Sequence, residues 1–198
     1  MCIRDRSRDF GQVRYEHYCD RSEVLEKLIE LKREKFSRTN TFDILSVDWA
    51  SNLLREMFKF QDDSFRGILS VLWANESMVG AHFGMISGDV MQYWFPVFDK
   101  RYAKYSPGLQ LLSNTIRCAC DEGIKRIDLS YGHSKFKEMF ANEQETVQLG
   151  LVNFNPLAFQ IAKQRYHLRY KLKSIPLKTQ IKYFLRKVYP QYGSWHFK

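Results

Sequence analysis

The segment from 95 to 109 holds the residues whose types and spacing best fit ligand chemistry. An apolar strand pattern runs into a basic loop, and the loop ends in a proline and a glycine that open a helix. The residues are Phe95, Pro96, Val97, Lys100, Arg101, Lys104, Tyr105, Ser106, Pro107, Gly108 and Leu109. The first turn of a helix presents unpaired backbone N–H groups and a partial positive charge, which suit a pyrophosphate. We therefore expect a phosphate-bearing cofactor here, and a plain Pro-Gly turn is the other interpretation.

Pro96 adds a second expectation about the same segment. Proline has no backbone N–H, so it cannot donate to a sheet ladder. The strand is therefore predicted to splay or end at Pro96. A backbone N–H between Phe95 and Val97 would then be available to a ligand.

His82 is the titratable side chain of the middle strand. Alternation places Gly80, His82 and Gly84 on one face of that strand and Val79, Ala81, Phe83 and Met85 on the other. The small neighbours predict an open face around His82, and an imidazole has a pKa suited to proton transfer near neutral pH. A packed or solvated strand histidine is the alternative.

Polar residues also follow the strand pattern Lys125–Ser130, which Tyr131 and Gly132 break. Asp128 lies near the end of this strand, where ligands of open α/β sheets gather. Tyr131 and Lys135 come directly after it. For Asp128 a capping or salt-bridging role is the alternative, and the other two are equally plausible as surface residues.

Two amphipathic helices precede these segments. Asp20 and Glu23 have the spacing of a capping box, and the apolar periodicity predicts a helix over 21–36. A second helix is predicted over 46–59 with Ser46 as its cap. Its predicted buried stripe consists of Trp49, Leu53, Met57 and Phe60.

The remaining periodicity predicts a mixed α/β fold. The apolar run at 68–74 is typical of a strand covered on both faces, and strands over 78–86 and 90–98 complete an antiparallel meander. A helix over 109–123, a strand over 125–130, a short helix over 133–141 and a strand over 146–153 follow. Asn155 and Pro156 are a good start for one further helix.

The chain divides by composition into a body and a basic tail. Residues 1–6 resemble a translated sequencing adapter and are set aside, so the natural protein is expected to begin further upstream. Residues 7–155 form the predicted domain, and 156–198 form a helical extension. Ten of the 31 Lys and Arg residues lie within 146–198, a segment without Asp or Glu, which accounts for the net charge of +9.

The tail reads as two helices separated near Pro176, with apolar stripes and interleaved tyrosines. A basic helical pair suits an anionic membrane surface or an anionic polymer, and a solvated cover over the sheet is the alternative. Its charge and tyrosines would also fit a nucleic acid, although the sequence carries no recognised motif for one.

The cysteine pattern places the chain in a reducing compartment. Cys2, Cys19, Cys118 and Cys120 form no CxxC pair and have no histidine at zinc-ligand spacing, so no metal is expected. No run of about 18 apolar residues occurs, which excludes a membrane-spanning helix. We expect a cytoplasmic protein, peripheral to the inner membrane if the tail binds lipid.

From Ile68 to about Val152 the order of elements resembles the acyl-CoA-binding core of the GNAT acyltransferase superfamily. The strings Tyr105–Leu109 and Lys125–Gly132, with Lys135, are similar to its CelD-like branch. That branch is associated with cellulose and exopolysaccharide synthesis and is related to the FemAB-type aminoacyltransferases. The resemblance implies acetyl-CoA or another acyl-CoA as donor and an amine as acceptor.

Acyl transfer needs a neutral amine, a polarised thioester carbonyl and a proton for the departing thiolate. We expect a backbone N–H near Phe95 to Val97 to polarise the thioester carbonyl and His82 to act as the general base. Tyr131 would supply the proton, Lys135 would hold an anionic acceptor and Asp128 would line the site. Two alternatives stay open: an aminoacyltransferase whose basic tail grips tRNA, and a non-catalytic scaffold for polysaccharide synthesis at the membrane.

Overall fold

The computed structural model describes residues 12–132, 134–148, 150 and 152–173 of the chain. They fall into two compact units, one ending at Asn142 and one beginning at Glu143. The predicted domain boundary after 155 coincides with the start of the last helix and stays a prediction.

The first unit alternates helices with an antiparallel meander. Its elements in chain order are β1 (Val13–Glu16), α1 (Ser22–Arg38), α2 (Asp48–Lys59), β2 (Phe65–Ala74), β3 (Ser77–Ser87), β4 (Val90–Phe98), α3 (Pro107–Asp121), β5 (Arg126–Asp128) and α4 (Lys135–Phe140). Short 3-10 turns at Ile44–Ser46 and Lys100–Tyr105 precede α2 and α3.

The five strands form one mixed sheet in the order β1-β2-β3-β4-β5. The first four are antiparallel to their neighbours, and β5 runs parallel to β4. The predicted α/β class is confirmed, and the meander occupies the predicted residues to within a few positions. Gly67 to Ala74 are buried, because β2 is covered on both faces.

Helices cover both faces of the sheet. On one face, Leu28 of α1 and Leu54 of α2 belong to a core with Phe83 of β3. On the other face, Leu111 of α3 packs in a cluster with Leu72 of β2. Burial of these apolar side chains is the main stabilising contribution to the unit.

Val79 departs from the predicted alternation of β3. The register between β2 and β3 shifts by one residue there, because Leu72 pairs with Gly80 and Trp73 pairs with Met78. Such a bulge turns the extra residue to the opposite face. Val79 therefore packs on the α3 side rather than with Ala81.

The predicted capping box of α1 is wrong. Arg21 is the N-cap residue, and no side chain among the described residues caps the helix. The backbone N–H groups of Val24 and Leu25 donate to the Arg21 carbonyl instead. The apolar side chains of the first turn, Val24 and Leu25, are buried. Their packing toward the sheet fixes where the helix begins.

The predicted start and buried stripe of α2 are also wrong. Ser46 ends the 3-10 turn, and α2 begins two residues later. Trp49 and Leu53 are 58% and 44% exposed, whereas Ala50 and Leu54 are buried. Successive side chains of a helix point about 100° apart, so Ala50 faces the sheet where Trp49 does not. The small side chain of Ala50 allows α2 to lie close to the sheet.

Polar side chains tie β1 to α3. The Tyr15 hydroxyl lies 2.8 Å from His17 Nδ1 and 3.0 Å from Thr115 Oγ1. The Ser70 hydroxyl donates to the His17 carbonyl at 2.9 Å. These contacts hold the edge strand against a helix that lies 100 residues further along the chain.

The second unit contains one helix, α5 (Pro156–Lys173), within its described residues. Asn155 caps it as predicted, because its Oδ1 accepts from the N–H groups of Leu157 and Ala158. The strand predicted over 146–153 is wrong for the described residues of that segment, which are exposed coil without a strand to pair with. The predicted second tail helix lies outside the described residues.

None of the described helices combines the length and apolar character that a membrane crossing would require.

Gly67 provides a test of the packing between α2 and β2. A Cβ at this position would lie 2.2 Å from the Met57 carbonyl oxygen, so backbone would have to move. We predict that Gly67→Ala lowers the free energy of unfolding by about 1–3 kcal/mol, as overpacked sites do. Urea unfolding followed by circular dichroism measures the change. Gly150→Ala is the control, since a Cβ there meets open space, and equal stability of both variants would contradict the prediction.

Candidate functional site

The candidate site is an opening in the sheet between β4 and β5. The two strands pair only from Val90 with Arg126 to Gln92 with Asp128. Beyond Gln92, β4 continues to Phe98 and stays paired with β3 on its other side. Over the described residues, the remaining six residues of β4, Tyr93 to Phe98, thus lack a strand neighbour on the β5 side. This segment is called the open half of β4.

The direction of the β4 backbone groups follows from one hydrogen bond. The N–H of Asp99 donates to the Val79 carbonyl, which makes these two residues a hydrogen-bonded pair. Hydrogen-bonded and non-bonded pairs alternate along an antiparallel ladder. His82 and Pro96 are therefore a non-bonded pair, and the Pro96 carbonyl points to the open side.

This direction corrects two predictions. Pro96 does not end the strand, because it occupies a position where a missing N–H costs no ladder bond. The N–H groups of Phe95 and Val97 face β3 and are not available to a ligand. Phe98, two residues after Pro96, has its N–H on the open side, since it pairs with Gly80 at a non-bonded position.

A bulge in β4 lies at the point where the strands part. Tyr93 and Trp94 together oppose Gly84, between the pairs Met85–Gln92 and Phe83–Phe95. A Cβ on Gly84 would lie 2.3 Å from the Gln92 carbonyl oxygen, so only glycine allows this approach. The bulge places Trp94 and Phe95 in succession against the core on the α1 side.

The entrance to α3 lies just beyond the open half of β4. Ser106 precedes the helix in a left-handed conformation with φ of 53°, and Pro107 is its first residue. A Cβ on Gly108 would lie 3.6 Å from the Phe98 ring, which is an ordinary contact. The protein's own packing therefore does not demand glycine here, and the predicted role of Gly108 in admitting a phosphate stays a prediction.

The basic loop forms a 3-10 turn rather than an extended loop. Asp99 caps this turn, and its carboxylate pairs with Arg101 at 2.6 Å, so the predicted phosphate-binding role of Arg101 competes with an existing ion pair. The Lys104 ammonium lies 4.7 Å from the centre of the Tyr105 ring. Lys100 and Lys104 are both exposed at the surface.

The end of β5 lies beside Gln92, where the opening begins. Asp128 accepts from the N–H of Ser130 at 2.6 Å, which matches the capping alternative for this residue. Tyr131 is 87% exposed. Lys137, which the sequence did not single out, donates to the carbonyls of Ser130 and Tyr131.

Lys135 is exposed and begins α4. The structure thus brings Asp128 and the segment after it to the mouth of the opening. For Tyr131 and Lys135 it shows surface positions, and their catalytic roles stay predictions.

His82 does not lie on an open face, so that prediction is wrong. Its side chain is fully buried and stacks on Tyr93 with ring centres 3.9 Å apart. Neither ring nitrogen, nor the Tyr93 hydroxyl, has a hydrogen-bond partner among the described residues. Burial first, then the charges of His17 and Lys32, lower the pKa of His82 to about 3. The space beside Gly84 is filled by the imidazole itself, and the role of His82 as base stays a prediction that its burial argues against.

Lys32 is the site residue that sequence reasoning missed. It lies on α1, is 8% exposed, and donates to the Pro96 carbonyl at 3.1 Å. Its ammonium is 5.6 Å and 5.3 Å from the ring centres of Phe36 and Phe95. Burial, and secondarily Lys35, lower the pKa of Lys32 to about 8. A lysine within an amphipathic pattern of Glu and Lys carries no signal that distinguishes it from its solvated neighbours.

Solved structures share this fold. An aminoglycoside acetyltransferase, meta-AAC0020, from an uncultured soil metagenomic sample is 14% identical over 75% of this chain and 99% of its own, with a TM-score of 0.51. A transcriptional regulator from Bacillus halodurans C-125 is 14% identical over 71% of this chain and all of its own, with a TM-score of 0.50. At this identity the likeness shows a shared fold and nothing further.

The family follows from the sequence itself. Residues 3–138 match the family model described as acetyltransferase (GNAT) domain. The chain belongs to the GNAT acetyltransferase domain family, which confirms the superfamily level of the resemblance. A comparison with curated proteins found no match.

The buried imidazole predicts an acid-labile fold. The pKa of His82 is about 3 in the folded chain against 6.5 ordinarily, so only the unfolded chain takes up this proton between those pH values. Stability is full above about pH 6.5 and falls by ~1.4 kcal/mol per pH unit below it on account of His82. We predict that unfolding of His82→Phe takes up about one proton fewer in this pH range, so its stability depends less steeply on pH. The phenyl ring should keep the stack with Tyr93.

The measurement is urea unfolding of both chains across that pH range. The carboxylates and His17 titrate in both proteins, so the difference between the two slopes isolates His82. At neutral pH the variant should be at least as stable, since it removes two buried unpartnered nitrogens. Parallel slopes would show that His82 takes up its proton in the folded state.

Proposed function

We propose that the chain transfers an acyl group, acetyl in the first instance, from an acyl-CoA to an amine acceptor. The observation that carries this proposal is the open half of β4 with the N-terminus of α3 just beyond it. The pyrophosphate of CoA would lie at Ser106, Pro107 and Gly108, with Lys100 and Lys104 nearby. The thioester would lie along the open side of β4.

In this arrangement backbone groups would bind the donor and polarise its carbonyl, and positioning of the substrates would contribute more than any one side chain. The N–H group of Phe98 points to the open side and would polarise the thioester carbonyl. Holding the two substrates in line contributes up to about 7–11 kcal/mol to the lowering of the barrier, more than one general base supplies. Tyr131 is proposed to protonate the thiolate and Lys135 to hold an anionic acceptor, both from exposed positions.

A thermal-shift titration with CoA and acetyl-CoA tests donor binding. We predict stabilisation of about 2.7 kcal/mol at a hundredfold excess over Kd. Gly108→Asp should abolish it, because a carboxylate at the helix entrance repels the pyrophosphate. Gly150→Asp introduces the same charge into exposed coil of the second unit and should leave the shift unchanged.

The same titration separates the other candidate functions. A shift with aminoacyl-tRNA and none with CoA species would support the FemAB-type alternative, and no shift with either would support a non-catalytic scaffold. Once binding is established, release of free thiol in the presence of amino sugars and peptide amines identifies the acceptor. We propose an amine of a polysaccharide or cell-envelope precursor, on the support of the CelD-like strings Tyr105–Leu109 and Lys125–Gly132.

The basic tail is proposed to bind an anionic surface such as a lipid membrane. Leu157, Ile161 and Leu168 share one stripe of α5 and are exposed, and Lys163 and Arg165 are exposed on the same helix. Apolar side chains that remain in water beside cations are typical of a helix that lies on a charged interface.

Charge reversal on α5 tests this role. We predict that the double variant Lys163→Glu, Arg165→Glu sediments less with phosphatidylserine vesicles at low salt, because it removes attraction to the lipid. The control is Lys27→Glu, Lys59→Glu, which makes the same charge change on α1 and α2, where both lysines are exposed. An equal loss in both variants would reduce the effect to net charge and contradict a specific role for α5.

A further inference from the structure

Lys32 is a buried amine whose hydrogen-bond partner is a backbone carbonyl. Its ammonium donates to the Pro96 carbonyl and lies near two aromatic rings. Within the part of the chain that the structure describes, no Asp or Glu lies within salt-bridge distance of it. A buried lysine without an ion pair is uncommon, because desolvation of the charged form is costly.

The surroundings of Lys32 favour its neutral form. With a pKa of about 8 against 10.5 ordinarily, the fraction of neutral amine near neutral pH rises by roughly two orders of magnitude. Only the neutral amine is a nucleophile, and desolvation is one of the recognised ways of activating a lysine.

The position of this amine coincides with the opening in the sheet. The Pro96 carbonyl points to the open side of β4, so a nitrogen 3.1 Å from it lies at that edge. The backbone N–H of Phe98, two residues from Pro96, is the group assigned to the thioester carbonyl. Lys32 reaches this place from α1, on the face of the sheet opposite to α3.

We propose that Lys32 is a self-acylation site, modified by the acyl-CoA bound in the opening. This inference rests on the proposed function for its donor. Nζ attacks the thioester carbonyl carbon, a C–N bond forms, the C–S bond breaks, and the proton lost from nitrogen leaves on the CoA thiol. The products are an Nε-acyl-lysine and free CoA, and the new amide retains one N–H for the Pro96 carbonyl.

The test is intact-mass analysis of the full chain incubated with acetyl-CoA and no acceptor, followed by peptide mapping. We expect one acetyl group per chain, on the peptide that contains Lys32, at a rate that rises with pH and levels off above about pH 8. Lys32→Arg should abolish the modification. Lys35→Arg is the matched control, since Lys35 lies on the same helix, is partly buried and also has a lowered pKa.

The wild-type peptide map decides the question even if Lys32→Arg folds poorly. Acetyl groups spread over surface lysines at equal rates, in folded and urea-unfolded chain alike, would overturn the proposal. Retained CoA stabilisation without modification of Lys32 would overturn this inference alone and leave the proposed function intact. Loss of both would overturn the two together.

Discussion

The site depends on how one strand accommodates two different neighbours. Along β3, strand β4 is paired to its end at Phe98, whereas along β5 it is paired for three residues only. The change is made at the bulge of Tyr93 and Trp94, which the absent side chain of Gly84 permits. A larger residue at 84 would meet the Gln92 carbonyl and the His82 ring, so the bulge depends on glycine at this position.

The two faces of the sheet contribute different groups to the opening. On one side, α3 supplies a helix N-terminus with the partial positive charge of its backbone, and Lys100 and Lys104 are exposed in the turn before it. On the other side, α1 supplies the Lys32 amine, held by the Pro96 carbonyl. In the proposed arrangement, phosphate binding and chemistry at the carbonyl would be separated along β4, each beside a different helix.

Features that follow from short stretches of sequence were predictable. The apolar run of β2, the Pro107-Gly108 helix start and Asn155 as a cap all follow from local rules, and the structure has them. The alternation rule failed at Val79 and did not foresee the bulge opposite Gly84, since one inserted residue reverses the side-chain direction and leaves no mark in the hydrophobic pattern.

Burial of polar side chains was not predictable for a related reason. His82 and Lys32 are polar letters in patterns that fit a solvated face as well as a buried one. What buries them is the approach of elements distant in the chain: Tyr93 stacks on His82, and Phe95 and Pro96 lie over Lys32. Trp49 is the opposite case, an apolar residue that was expected to be buried and is exposed. Its direction depends on where α2 begins, which is set by the end of the preceding 3-10 turn.

The contact between Tyr15 and Thr115 has a consequence for how the chain folds. It joins β1 to α3 across 100 residues, and the hydrogen bond of Tyr18 to Glu122 joins the same two regions. Contacts so distant in sequence carry a large loop-closure entropy and are slow to form. The meander of β2 to β4 consists of short hairpins and can form first. Helix α3, whose first residue is Pro107, is therefore expected to reach its final position late, after the edge strand has joined the sheet.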